Sequence, residues 1–81
     1  MTRRIVVTGA GRGIGLGIAK KLIAQGHEVW GTARHPENAT ELTEAGAAGV
    51  LTLDVGDTGS IEAFGLDLAT QVDSIDTLVN N

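Results

Sequence analysis

The 81-residue chain has no cysteine and no tyrosine, and only one proline, one phenylalanine, one tryptophan and one methionine. Without cysteine there is no disulfide, thiolate ligand or thiol nucleophile. The two histidines, His27 and His35, stand apart with no metal-ligand spacing, which excludes a structural zinc site. So few aromatics mean that a core has to be built from aliphatic side chains and alanine. Bases are absent after residue 34: residues 1–34 hold all six, with Glu28 as their one acid, and the remainder is purely acidic, for a net charge of −4. That balance argues against nucleic acid as a partner, while the basic first part suits a small anionic ligand. No apolar run approaches the roughly 20 residues that span a bilayer, and Met-Thr-Arg-Arg leads straight into an apolar segment rather than a secretory leader. The expectation is a cytoplasmic protein with no membrane association, forming one small domain over residues 1–81 with little core to spare.

Glycine, by contrast, is plentiful at 12 residues, and four of these fall within VVTGAGRGIG, residues 6–15. The segment joins a buried apolar run, Ile5–Thr8, to a helical stripe of Ile14, Ile18 and Leu22, with Ala19 and Ile23 alongside, that stops at Gly26. Glu28–Ala33 reads as a second strand. His35-Pro36 offers a helix start with Glu37 near its positive end, and the helix is expected to run to about Ala45. Gly46 and Gly49 break it, Val50–Val55 makes a third strand, and Asp57 or Thr58 caps a helix with the stripe Ile61, Phe64, Leu68 and Val72. Asp76–Asn81 supplies a fourth strand. The order βαβαβαβ implies parallel pairing through right-handed crossovers, hence an α/β, Rossmann-like sheet of strand order 3-2-1-4, half of a doubly wound fold.

A glycine-rich turn between the first strand and the first helix removes Cβ atoms where a diphosphate must approach the backbone. It also aims free helix N-terminal N–H groups at the anion. The spacing is not G-x-G-x-x-G but T-G-x-x-x-G-x-G, formed by Thr8, Gly9, Gly13 and Gly15. Gly15 is followed by Leu16-Gly17 rather than Lys-Ser/Thr, which argues against a P-loop NTPase.

TGAGRGIG, the Leu53-Asp54-Val55 segment and the terminal DTLVNN together resemble three ordered motifs of the short-chain dehydrogenase/reductase family, in its NADP-dependent reductase branch. The resemblance spans nearly the whole chain. One departure is Gly11, where that branch often carries Ser, so one hydroxyl contact to phosphate is lost. The resemblance implies that the backbone of Gly9, Ala10, Gly11, Arg12, Gly13, Ile14 and Gly15 lines the pyrophosphate and adenosine ribose. It implies further that Asp54 meets the adenine amino group with the Val55 backbone beside the ring, and that Asn81 lies near the ribose on the nicotinamide side. Asp54 is equally placed to cap the following turn, and Asn80 and Asn81 to end a strand.

Cofactor preference has a physical basis. An acid at the end of the second strand would accept hydrogen bonds from a ribose 2′-OH and repel a 2′-phosphate. Here that position is Ala33, followed by Arg34, and Arg12 in the glycine loop is a second guanidinium able to reach the same phosphate. NADP(H), or its adenosine-phosphate half, is the expected partner. The catalytic Ser, Tyr and Lys of the family lie downstream of the segment that DTLVNN resembles. With no Tyr, and with lysines only at 20 and 21, the chain offers no catalytic residue and no metal site. It reads as the cofactor-binding front of an NADP(H)-dependent oxidoreductase that acts on a carbonyl or alcohol when the remainder is present; the alternative is a nucleotide-binding or self-associating module without catalysis. An uncovered fourth strand favours a homodimer, edge to edge through that strand or face to face near Phe64 and Leu68.

Overall fold

A computed structural model describes residues 2–54 and 56–81. Four strands, β1 (Arg4–Val7), β2 (Glu28–Ala33), β3 (Gly49–Thr52) and β4 (Thr77–Val79), alternate with helices α1 (Gly13–Ala24), α2 (Thr40–Glu44) and α3 (Thr58–Gln71). All pairings are parallel and the strand order is 3-2-1-4, as the alternating pattern requires. Among the described residues no helix is long and apolar enough to cross a membrane.

Register explains the core. Ile5 pairs with Val29 and Thr77, Val7 with Gly31 and Val79, and Gly31 in turn with Val50. Alternate residues along each strand share a face, so Ile5, Val7, Val29, Val50 and Val79 gather on one side, where Ala19 of α1 and Leu42 of α2 close over them. Gly31 admits Leu42: a Cβ there would stand 2.4 Å from Leu42 Cδ2. Leu42 is fully buried, and its removal would leave a cavity costing roughly 2–5 kcal/mol. On the opposite face the Trp30 ring lies across Gly49, whose added Cβ would meet it at 2.5 Å. The helix α3 packs against β3, with Leu68 buried and Phe64 half-buried.

Several sequence expectations change at this point: the fourth strand is only Thr77–Val79, and Ile61 of the α3 stripe is exposed. Ile14, assigned to the apolar stripe of α1, is 78% exposed. The inward residues are Gly15 and Ala19, with Leu16, Ile18, Leu22 and Ile23 partly buried against the core. The helix expected from Pro36 to Ala45 is two pieces, a 3-10 turn (Pro36–Asn38) and α2, separated by Ala39. Ala39, 2% exposed within the core cluster, has φ −92° and ψ 44°, outside the helical range, and this divides the two pieces. The third strand ends at Thr52, short of Asp54. The capping reading of Asp57 holds: its Oδ1 accepts from the N–H groups of Gly59 and Ser60.

Candidate functional site

The carboxyl ends of β1, β2, β3 and β4 open on one cavity of about 490 Å³, lined by thirteen residues that include Gly9, Gly11, Arg12, Arg34, Asp54 and Asn81. In an open α/β sheet this is the edge at which ligands bind, beside the point where strand order reverses; here that point lies between β1 and β4.

Local hydrogen bonds hold the glycine loop in shape. Gly9 has φ +61° and Gly13 φ +62°, a left-handed conformation that strains any other residue. The Gly9 N–H donates to Thr32 Oγ1 at 3.1 Å, and the Ala10 N–H to the Thr32 carbonyl at 2.9 Å. From the other side the Asn81 N–H donates to Thr8 Oγ1 at 2.9 Å and Asn81 Nδ2 to the Gly9 carbonyl at 3.3 Å. The loop is thus clamped between β2 and the residues following β4. Gly15 completes the packing, since a Cβ on it would lie 2.1 Å from the Gly9 oxygen and 2.6 Å from Asn81 Nδ2.

Helix α1 begins after Arg12, whose extended backbone sets the entry and whose side chain caps nothing. Among the described residues the N–H groups of Gly13, Ile14 and Gly15 find no acceptor; the first intrahelical bond at this end is Leu16 N–H to the Arg12 carbonyl, 3.3 Å. Three free donors and the positive end of a 12-residue helix therefore stand beside the cavity, a ready anion site. Arg12 and Arg34 both line the cavity and both are exposed, and neither is held in an ion pair among the described residues.

The other expected residues sort as follows. Asp54 lines the cavity while its Oδ1 accepts from the Gly56 N–H at 3.0 Å, so it serves the turn and still presents a second carboxylate oxygen. Its own N–H donates to Ser60 Oγ at 2.8 Å, tying the end of β3 to α3. Ala10 is fully buried with its N–H engaged, and Gly13, Ile14 and Gly15 flank the cavity without lining it. Val55 lies outside the described residues. Sequence spacing did not pick out Thr32, His35, Asn38 and Ala39, which form the β2 side of the cavity wall. The available signal was their position: they follow or end a parallel strand at its carboxyl edge, where the wall of such a site has to be. Among the described residues no three His, Asp or Glu side chains could hold a metal ion.

The family model described as short chain dehydrogenase matches residues 3–81. The chain belongs to this family. Among curated relatives, it is 42% identical over 78 residues to the 3-oxoacyl-[acyl-carrier-protein] reductase FabG of Salmonella typhimurium, covering 94% of this chain and 32% of that protein. It is 39% identical over 79 residues to the NADP-dependent 3-hydroxy acid dehydrogenase YdfG of Salmonella typhi, covering 95% of this chain and 32% of that one. A solved metagenomic short-chain oxidoreductase in complex with NADP superposes with a TM-score of 0.81 at 37% identity, over 98% of this chain and 38% of that one. The chain thus spans about a third of the length of the proteins it matches.

Proposed function

We propose that residues 1–81 form a single NADP(H)-binding unit of a short-chain oxidoreductase that reduces a carbonyl or oxidises an alcohol in the complete protein, with a cytoplasmic location. The observation that carries the reading is the pair Arg12 and Arg34, both exposed and both on the wall of one cavity, with Ala33 where an NAD-selecting carboxylate would stand. Two guanidiniums offer charge-assisted donors to a 2′-phosphate, and no acid at Ala33 repels it. In this reading the backbone from Gly9 to Gly15 receives the pyrophosphate, Asp54 and Val55 the adenine, and Asn81 the ribose on the nicotinamide side. A bound nicotinamide would supply the hydride for carbonyl reduction and accept it in alcohol oxidation. The part played by residues 1–81 is to bind and orient, since they contain no tyrosine, and both lysines lie on α1, away from the cavity wall.

Calorimetric titration of the 81-residue chain with 2′-phospho-AMP and with AMP tests this directly. The expected result is tighter binding of 2′-phospho-AMP by roughly tenfold or more, given ~1.5–3 kcal/mol for hydrogen bonds to charged groups, with Arg34→Asp reversing the order. Equal binding of the two ligands would refute the preference.

A second copy of the chain is the proposed protein partner. The outer edge of β4 has no neighbouring strand among the described residues, and Leu78 on it is 60% exposed. Unpaired strand edges associate readily, and a two-fold axis would pair two β4 strands antiparallel. The face near Phe64 and Leu68 is a poorer candidate because those side chains already turn inward. Sedimentation should give a dimer mass that Leu78→Lys reduces to the monomer; a monomer mass at all concentrations would rule the edge out.

A further inference from the structure

Four of the five large apolar side chains that stand exposed among the described residues fall between residues 61 and 78: Ile61 and Leu66 on α3, Ile75 just before β4, and Leu78 on it. Leu78 pairs with Val6, which pairs with Trp30, so its side chain lies on the α3 face of the sheet and not on the face closed by α1 and α2. The helix α3 packs on β3, at the far side of a sheet ordered 3-2-1-4, and β4 is left open beside it. Helix phase decides which flank of α3 looks across the gap. Leu68 is buried towards the sheet, and Ser60, on one flank, accepts from the Asp54 N–H at the end of β3. Ile61, Gly65 and Ala69 repeat every fourth residue on the other flank, all three exposed, and so face β1 and β4. A Cβ on Gly65 would meet nothing within 4 Å. The result is a shelf with Ile61, Gly65 and Ala69 as its wall and Leu78 as its floor. From β3 to β4 is three strand spacings of ~4.8 Å, which gives room for one more helix of ~10 Å diameter next to α3.

Single exposed apolar residues are ordinary, but several gathered beside an open flank mark an interaction surface. The charge of this one is of a single sign. Residues 58–81 carry Glu62, Asp67, Asp73 and Asp76 and no Lys or Arg. Arg4, at the amino edge near Asp73 and Asp76, is already held by Glu28 and the Ser74 carbonyl. Such a surface repels an anionic lipid surface, a nucleic acid and a second copy bearing the same four acids, and draws in a segment carrying positive charge. We propose that the shelf between α3 and β4 is the docking site for a cationic amphipathic helix of a partner protein. The partner's apolar stripe lies against Ile61, Gly65, Ala69 and Leu78, and its Lys or Arg flanks meet Glu62 and Asp73. None of these residues lines the nucleotide cavity, so the site stands independently of the NADP(H) reading.

The test uses two fluorescent synthetic peptides of about 18 residues, past the length at which isolated helices are marginal: an amphipathic helix of Leu, Ala and Lys, and its twin with Glu for every Lys. Anisotropy titration against the 81-residue chain should show the Lys peptide binding about tenfold or more tighter than the Glu twin, as like charges brought together at an interface are costly. Gly65→Leu fills the shelf without touching the core, so it should keep or raise the denaturation midpoint while weakening the Lys peptide about tenfold. Reversing the rim with Glu62→Lys and Asp73→Lys should weaken it roughly three- to tenfold, with the difference shrinking as salt is added. In all variants the preference between 2′-phospho-AMP and AMP should stay as in the parent chain. Equal binding of the two peptides, binding of neither, or Lys-peptide binding indifferent to Gly65→Leu would overturn the proposal. So would a fall in the chain's own sedimenting mass in Gly65→Leu, which would assign the shelf to a second copy.

Discussion

The two ends of one sheet treat arginine in opposite ways. At the amino edge, Arg4 pairs with Glu28 across the β1–β2 register, and its Nη1 donates to the Ser74 carbonyl at 3.1 Å. The same Glu28 accepts from Trp30 Nε1 at 2.8 Å, and Asp76 accepts from the Arg4 N–H at 2.7 Å. His27 Nδ1 accepts from the Arg3 N–H at 3.1 Å. At the carboxyl edge, Arg12 and Arg34 have no such partners, and three helical N–H groups beside them donate to nothing among the described residues. Unspent donors belong where a ligand is to be received; mutually satisfied charges belong where strands are to be joined.

The largest expected effect comes from closing the carboxyl edge. In Gly15→Ala the new Cβ falls 2.1 Å from the Gly9 oxygen, a backbone atom that cannot move without breaking the clamp to Thr32 and Asn81. Overpacking of this kind costs ~1–3 kcal/mol, a large share of what an 81-residue domain has. The denaturation midpoint, followed by Trp30 fluorescence, should drop accordingly and nucleotide binding should be lost. Gly17→Ala is the control: it meets nothing within 4 Å in the same helix and should stabilise the chain by about 0.5–1 kcal/mol. If both variants behaved alike, helix propensity and not the contact with Gly9 would be deciding.

Much of this contrast was legible beforehand, and the failures have specific causes. Thr8, Gly9, Gly13 and Gly15 announced the loop because their reason is local: left-handed backbone at two positions and close approach at a third. Strand order followed from alternation alone, since parallel strands need crossovers. Ile14 falls outside the buried face because periodicity gives the spacing of a helix face but does not fix which residues of the first turn reach the core. Ala39 divides the expected helix through a non-helical backbone that no residue spacing announces, and its side chain sits among core residues far away in sequence, including the valines of β1 and β2. His35 and Asn38 joined the cavity wall for the same reason, as a loop crosses above β3 where no spacing rule connects residue 38 to residue 54.

The smallest expected effect lies at the amino edge, and it sharpens the comparison by touching stability without touching the ligand. Hydrogen bonds from Trp30 and then from Arg4 hold the Glu28 carboxyl below its ordinary value of 4.5. A depressed acid contributes stability that is fully present above that ordinary value and is lost as pH falls through the lower, folded one. The pair is about a third exposed, so solvent screening keeps the contribution small. Glu28→Gln should therefore lower the melting temperature slightly at pH 7, and the gap from the parent should close as pH falls through the depressed value of the folded carboxyl. Preference for 2′-phospho-AMP should be unchanged in the variant, because the network lies at the far end of the strands from the cavity. A stability gap that showed no dependence on pH in the acid range would show that Glu28 acts through packing of its stem against Trp30 and not through its charge, and a changed nucleotide preference would show that the two edges are coupled through the sheet.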